Sequence, residues 1–165
     1  MHKTDVGPVI DRNAKQKLLA HLEQMSSTQK KVAQLQLEEA CQYGDFVAPS
    51  AFEISGIDVL KEEQFGPILH IVRFKASELP NVVEQINQTG FGLTMGIHSR
   101  NETTYRWIEK HARVGNCYIN RDQVGAVVGV QPFGGQGLSG TGPKAGGPHY
   151  LYRFTQHLLV QAENA

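Results

Sequence analysis

The sequence predicts an α/β fold in which parallel strands are joined through helices. Two observations carry this expectation. From Ile68 onward the apolar pattern reads strand, helix, strand, helix, strand, the order that builds parallel βαβ units. The first of these strands, Ile68 to Phe74, is an almost continuous apolar run, as in a strand covered on both faces. A chain of 165 residues is one domain's worth and is long enough to bury a real core.

The elements follow in order. Ile10, Ala14, Leu18, Leu22 and Met25 form one stripe of a 3.6-residue period and predict a helix over 11–25. Asp11 stands where a cap is needed, and Ser26-Ser27-Thr28 is placed to close it. Residues 31–37 alternate and suggest a short strand. Phe46 to Ile54 is a second extended stretch, in which Pro49 argues against a central position. After the strand at 68–74, Leu79, Val82, Val83 and Ile86 share one face of a helix near 79–88. Leu93–Ile97 is the next strand, and Ser99 with Glu102 reads as a capping box opening a helix that presents Tyr105, Ile108 and Ala112. Val114–Ile119 is the following strand, and Trp107 is assigned to packing. An apolar and glycine-rich stretch, Val124–Val130, leads to a loop, a short segment near 148–154 and a last strand-like piece, His157–Gln161.

Composition excludes several classes. Lys plus Arg, 16, balance Asp plus Glu, 16, so no net charge draws the chain to nucleic acid or an anionic membrane. No apolar stretch is long enough for a transmembrane segment, and the first residues carry no secretory pattern. Cys41 and Cys117 stand far apart, and the seven histidines are scattered singly. The reading is reduced thiols in a cytoplasmic protein with no metal site.

Two segments carry chemistry. Residues 132–148, Pro-Phe-Gly-Gly-Gln-Gly-Leu-Ser-Gly-Thr-Gly-Pro-Lys-Ala-Gly-Gly-Pro, hold seven glycines and three prolines, too much punctuation for a helix or strand. Such a loop brings bare N–H groups close to a ligand, and an anion fits it best. Within it, Gly135-Gln-Gly137-Leu-Ser-Gly140 spells the dinucleotide fingerprint. The glycines and prolines that follow would break the helix the fingerprint must open, so a Rossmann site is not assigned. The second segment, Glu62-Glu63-Gln64-Phe65-Gly66-Pro67, stands before the strand at 68. By itself it reads as a charged turn. It also offers a carboxylate suited to a ribose diol and a ring suited to a flat heterocycle.

These two segments resemble the Glu-Glu-x-Phe-Gly-Pro and Pro-Phe-Gly-Gly-x-x-x-Ser-Gly motifs of the aldehyde dehydrogenase superfamily. Val6-Gly-Pro-Val-Ile-Asp11 and Thr94-Met-Gly-Ile97 are similar to further family segments, in the right order. Val114-Gly-Asn-Cys-Tyr-Ile-Asn-Arg121, continuing to Lys144-Ala-Gly-Gly-Pro148, resembles the L-glutamate γ-semialdehyde (Δ1-pyrroline-5-carboxylate) dehydrogenase branch. Within that branch it is most similar to the form fused to proline dehydrogenase in bifunctional bacterial proline-utilisation proteins.

The resemblance implies a partial, open, mainly parallel sheet with flanking helices over 1–155, the C-terminal portion of a catalytic domain. It further implies an oligomerisation strand and tail over 156–165, hence a homo-oligomer. NAD is the implied cofactor of the complete enzyme, with Glu63 holding the nicotinamide ribose and Phe65 bordering the nicotinamide. Backbone N–H groups of Gly146 and Gly147 would grip the α-carboxylate of a small-molecule substrate, with Phe154 against its methylene stem. The family works through a thiolate nucleophile and a general-base Glu, and both belong upstream of this chain's first motif. Neither Cys41 nor Cys117 takes that place, so the chain alone is expected to be inactive. Two alternatives are a self-associating module without catalysis and a phosphate- or nucleotide-binding module built on the 132–148 loop.

Overall fold

The computed structural model describes residues 6–124, 130–140, 142–152 and 154. They fall into two compact units, Met1–Lys75 and Ala76–Ala165. The oligomerisation strand and tail expected over 156–165 lie outside the described residues.

The first unit is built on helix α1, Arg12–Thr28. The Asp11 carboxylate caps it by accepting the Ala14 N–H at 2.7 Å. The predicted stripe is real: Leu18, Leu22 and Met25 are buried and pack with Val47, Phe52 and Ile54. Ile10 precedes the cap and leaves the stripe, 91 % exposed. The helix runs through the three residues expected to close it. The hydroxyls of Ser27 and Thr28 both donate to the Gln24 carbonyl at 2.8 Å, so they continue the last turn instead of ending it.

Strands β1 (Lys30–Gln34), β2 (Ser50–Glu53) and β3 (Ile68–Ile71) form one sheet in that order. β1 runs antiparallel to β2 with an irregularity between Lys31 and Ala33, and β2 runs parallel to β3. Pro49 does not keep the second strand at an edge. It stands one residue before β2, where no ladder N–H is needed, and its carbonyl accepts the Leu35 N–H at 2.9 Å. The run from Ile68 is not covered on both faces. Among the described residues β3 has β2 as its one neighbour, ends at Ile71 and leaves Leu69 60 % exposed.

The second unit contains α2 (Leu79–Gln88), β4 (Phe91–Gly92), β5 (Thr94–Ile97), α3 (Glu102–His111), β6 (Asn116–Ile119) and β7 (Gln136–Gly137). β5 and β6 are parallel, with Thr94 opposite Asn116 and Ile97 opposite Ile119. With α3 between them they form the expected βαβ unit. The strand expected over Leu93–Ile97 is β5, and just before it the short β4, which was not expected, pairs antiparallel with β7. The cap of α3 is Asn101, which accepts the Thr104 N–H at 3.2 Å, while Ser99 accepts the Asn101 N–H one step earlier at 3.1 Å. The chain is thus α/β, with parallel pairs in both units and flanking helices.

Phe52 and Met25 are wholly buried against each other's cluster. Phe52→Ala is expected to destabilise the first unit by about 3–5 kcal/mol in urea unfolding, the usual loss for an aromatic core side chain.

Candidate functional site

The Glu62–Pro67 segment comes close to α1 at Gly66. A β-carbon on Gly66 would lie 2.5 Å from Leu18 Cδ1, so a larger residue here would displace the buried Leu18 side chain. The Gly66 N–H bonds the Gln64 carbonyl at 2.9 Å and the Ile68 N–H bonds that of Gly66 at 2.8 Å, two tight bends in succession. These bends leave Phe65 82 % exposed and Glu63 exposed, with no hydrogen bond or ion pair from Glu63 to another described residue. The ring is therefore open to solvent and the carboxylate keeps its acceptor oxygens free for a ligand.

The glycine-rich loop lies in the second unit. Phe133 and Ala145 exchange N–H to carbonyl bonds at 3.0 and 2.8 Å, which closes its two arms. Its terminus is a four-residue turn, Lys144–Gly147, in which the Gly147 N–H donates to the Lys144 carbonyl at 3.1 Å. Gly146 occupies the third position at φ 72°, the left-handed region that such a turn reserves for glycine. The turn uses the N–H of Gly147 and leaves that of exposed Gly146 outside it. Phe154 is 64 % exposed and meets Tyr150 edge-on, ring centres 5.5 Å apart. The fingerprint Gly135–Gly140 opens no helix. Its Gln136–Gly137 is strand β7, followed by a turn at Leu138–Ser139.

Two positioning residues were not singled out from the sequence. The Asn116 carboxamide spans the loop: its Nδ2 donates to the Pro132 carbonyl at 3.0 Å and its Oδ1 accepts the Gly134 N–H at 3.3 Å. Lys144 Nζ donates to the carbonyl of Gly115, the residue just before β6, joining the far end of the loop to the start of the same strand. Asparagine is a poor strand former, so its place at the start of β6 was the available signal. Glu63 and Phe65 belong to the first unit, and Gly146, Gly147 and Phe154 to the second. Cys41 lies in a single 3-10 turn, Glu39–Tyr43, and Cys117 on β6; both are half-buried. Burial pushes the Cys117 thiol up, with Glu109 adding to it, the reverse of what a thiolate nucleophile needs. Among the described residues no helix is long and apolar enough to cross a membrane, and no three His, Cys, Asp or Glu side chains gather to hold a metal.

A sequence profile described as the aldehyde dehydrogenase family matches residues 1–160. The chain belongs to the aldehyde dehydrogenase family. Among its relatives, the bifunctional protein PutA of Klebsiella aerogenes is 52 % identical over 156 residues, covering 92 % of this chain and 12 % of that protein. The 1-pyrroline-5-carboxylate dehydrogenase of Geobacillus kaustophilus is 38 % identical, covering 95 % of this chain and 30 % of that enzyme. In three dimensions the chain is similar to Bradyrhizobium japonicum proline utilization A, TM-score 0.86 and 53 % identity, over 92 % of this chain and 15 % of that one. It is also similar to a Thermus 1-pyrroline-5-carboxylate dehydrogenase crystallised with NAD, TM-score 0.80 and 38 % identity, over 91 % of this chain and 29 % of that one. This aldehyde dehydrogenase family chain therefore spans less than a third of the length of each of these relatives.

Asn116→Ala leaves a partly buried carbonyl and N–H without their partner. It is expected to cost about 1–3 kcal/mol in unfolding and to speed amide exchange at Gly134. Asn116→Asp, which keeps the acceptor, should retain most of the Gly134 protection.

Proposed function

We propose that this chain carries the cofactor-edge and substrate-carboxylate grips of an NAD-dependent dehydrogenase that oxidises L-glutamate γ-semialdehyde to glutamate in proline catabolism. The observation that carries the reading is the turn at Lys144–Gly147. Gly146 is held at φ 72° with its N–H unclaimed by the turn, in a segment that resembles the semialdehyde branch of the family. An N–H fixed this way donates to a carboxylate oxygen without reorganising, and a charge-assisted bond of this kind discriminates against aldehydes that lack the carboxylate. The Gly147 N–H, already on Lys144, is a second donor that the same oxygen would share. The exposed ring of Phe154 suits the methylene stem of such a substrate.

Glu63 and Phe65 would hold the nicotinamide end of NAD, the carboxylate on the ribose hydroxyls and the ring beside the heterocycle. When bound, the dinucleotide accepts the hydride of the aldehyde. The nucleophile is not assigned to this chain: Cys117 is half-buried with its thiol pushed up, and neither cysteine takes the family position. The chain alone is therefore read as inactive.

A graft tests this reading. The segment of Klebsiella aerogenes PutA that matches this chain, 52 % identical, is replaced by it. The graft is expected to form NADH with 1-pyrroline-5-carboxylate. Gly146→Ala, which forces a side chain into the left-handed region at a cost of about 1–2 kcal/mol, is expected to raise KM for that substrate about tenfold or more. It should leave the oxidation of a simple aldehyde nearly unchanged. The isolated 165-residue chain should form no NADH. An inactive graft, or an active isolated chain, contradicts the proposal.

Self-association without catalysis is a second reading, favoured by the sheet of the first unit. Its outer strands leave Val32 49 % and Leu69 60 % exposed, with no further strand beside them among the described residues. A strictly monomeric chain in sedimentation removes it.

A further inference from the structure

Two histidines in the first unit stand apart from the residues assigned above. His21 on α1 and His70 on β3 bring their Nε2 atoms to 2.9 Å, with ring centres 5.1 Å apart and planes 72° from each other. Both are half-buried. An N–H···N bond of this length needs one proton between the two nitrogens. With both rings neutral, one donates its Nε2–H and the other accepts. A first added proton goes to Nδ1 of the donor ring and leaves the bond in place. A second would put a hydrogen on the accepting Nε2, and two N–H groups would then point at each other. The contact tolerates one extra proton and not two.

The surroundings favour the neutral rings. Burial pushes His21 below the ordinary histidine range, offset in part by Glu62, which stands before β3. Burial also lowers His70, and the neighbouring His21 lowers it further. On the adjacent strand β2 the charged side chain is Glu53, held by Lys30 at 3.2 Å and Arg73 at 3.1 Å. Leu18, one turn before His21 on the same face of α1, is the side chain against which Gly66 rests. The helix therefore holds the segment from Gly66 to His70 at two points, one apolar and one through the imidazole pair.

We infer that His21 and His70 form an acid-sensitive clasp that fixes the Gly66–His70 segment, and with it the end of Glu62–Pro67, against α1. The direction follows from proton linkage. The unfolded chain takes up protons near the ordinary histidine value, about 6.5, while the clasped form refuses at least one of them. The clasp is at full strength above that range and weakens as pH falls through it, about tenfold in the closed-to-open ratio per pH unit for each proton refused. The inference holds whatever the segment binds.

Amide hydrogen exchange in the full chain, corrected for intrinsic rates, tests it between pH 8 and 5.5. Protection at Gly66 and Ile68 is expected to fall about tenfold per pH unit below 6.5, while protection in β5 and β6 stays level. In His70→Gln the amide can donate to neutral His21 or accept from protonated His21, so the pH dependence should flatten. Imidazole carbon resonances of the wild-type chain give a second readout that needs no variant, and at least one ring should titrate clearly below the ordinary range. Level protection at Gly66 and Ile68 across the whole range overturns the inference. So does titration of both rings at the ordinary value with that protection retained, or an undiminished pH dependence in His70→Gln.

Discussion

The left-handed backbone of Gly146 is the constraint on which the account of this chain depends. At φ 72° it lets Lys144–Gly147 close as a tight turn, and the turn decides which amide protons remain open. Other parts of the second unit serve to hold that turn. The Phe133–Ala145 bridge ties the two arms of the loop together, Asn116 grips Pro132 and Gly134, and Lys144 reaches back to Gly115. Because Asn116 opens β6, and β6 pairs with β5, the loop is tied to the βαβ unit. That is what the proposed carboxylate grip requires, since donors already held in place need no reorganisation on binding.

The first unit solves a related problem by packing. α1 supplies the core with Leu22 and Met25 and lays Leu18 against Gly66, where a larger residue would press on that side chain. Glycine therefore plays two roles in this family segment. At position 66 it allows contact with a helix, and at position 146 it allows a backbone angle that other residues avoid.

Much of the fold was legible in the sequence because it is written in local periodicity. The Leu18–Leu22–Met25 stripe gave α1, and the alternation of elements after Ile68 gave the β5–α3–β6 unit. What was not legible depends on partners distant in sequence. Whether Ile68–Ile71 is covered or at an edge is set by which strands pair with it, and its composition reads the same either way. Ser27 and Thr28 look like terminators, yet their hydroxyls find the Gln24 carbonyl and extend the helix. Ser99 fits the capping pattern, but Asn101 lies closer to the first free amide and takes the role. For the site, glycine and proline spacing located the 132–148 loop, while the roles of Glu63, Phe65 and Phe154 came from resemblance. The division of labour between Gly146 and Gly147 needed the turn geometry, and Asn116 needed the three-dimensional contact.

The most direct measurement is a crystal structure of the PutA graft with glutamate bound. The account predicts an α-carboxylate oxygen within hydrogen-bond distance of the Gly146 nitrogen, with the Lys144–Gly147 turn unchanged. A carboxylate held elsewhere, with the Gly146 N–H pointing at solvent or protein, would contradict it.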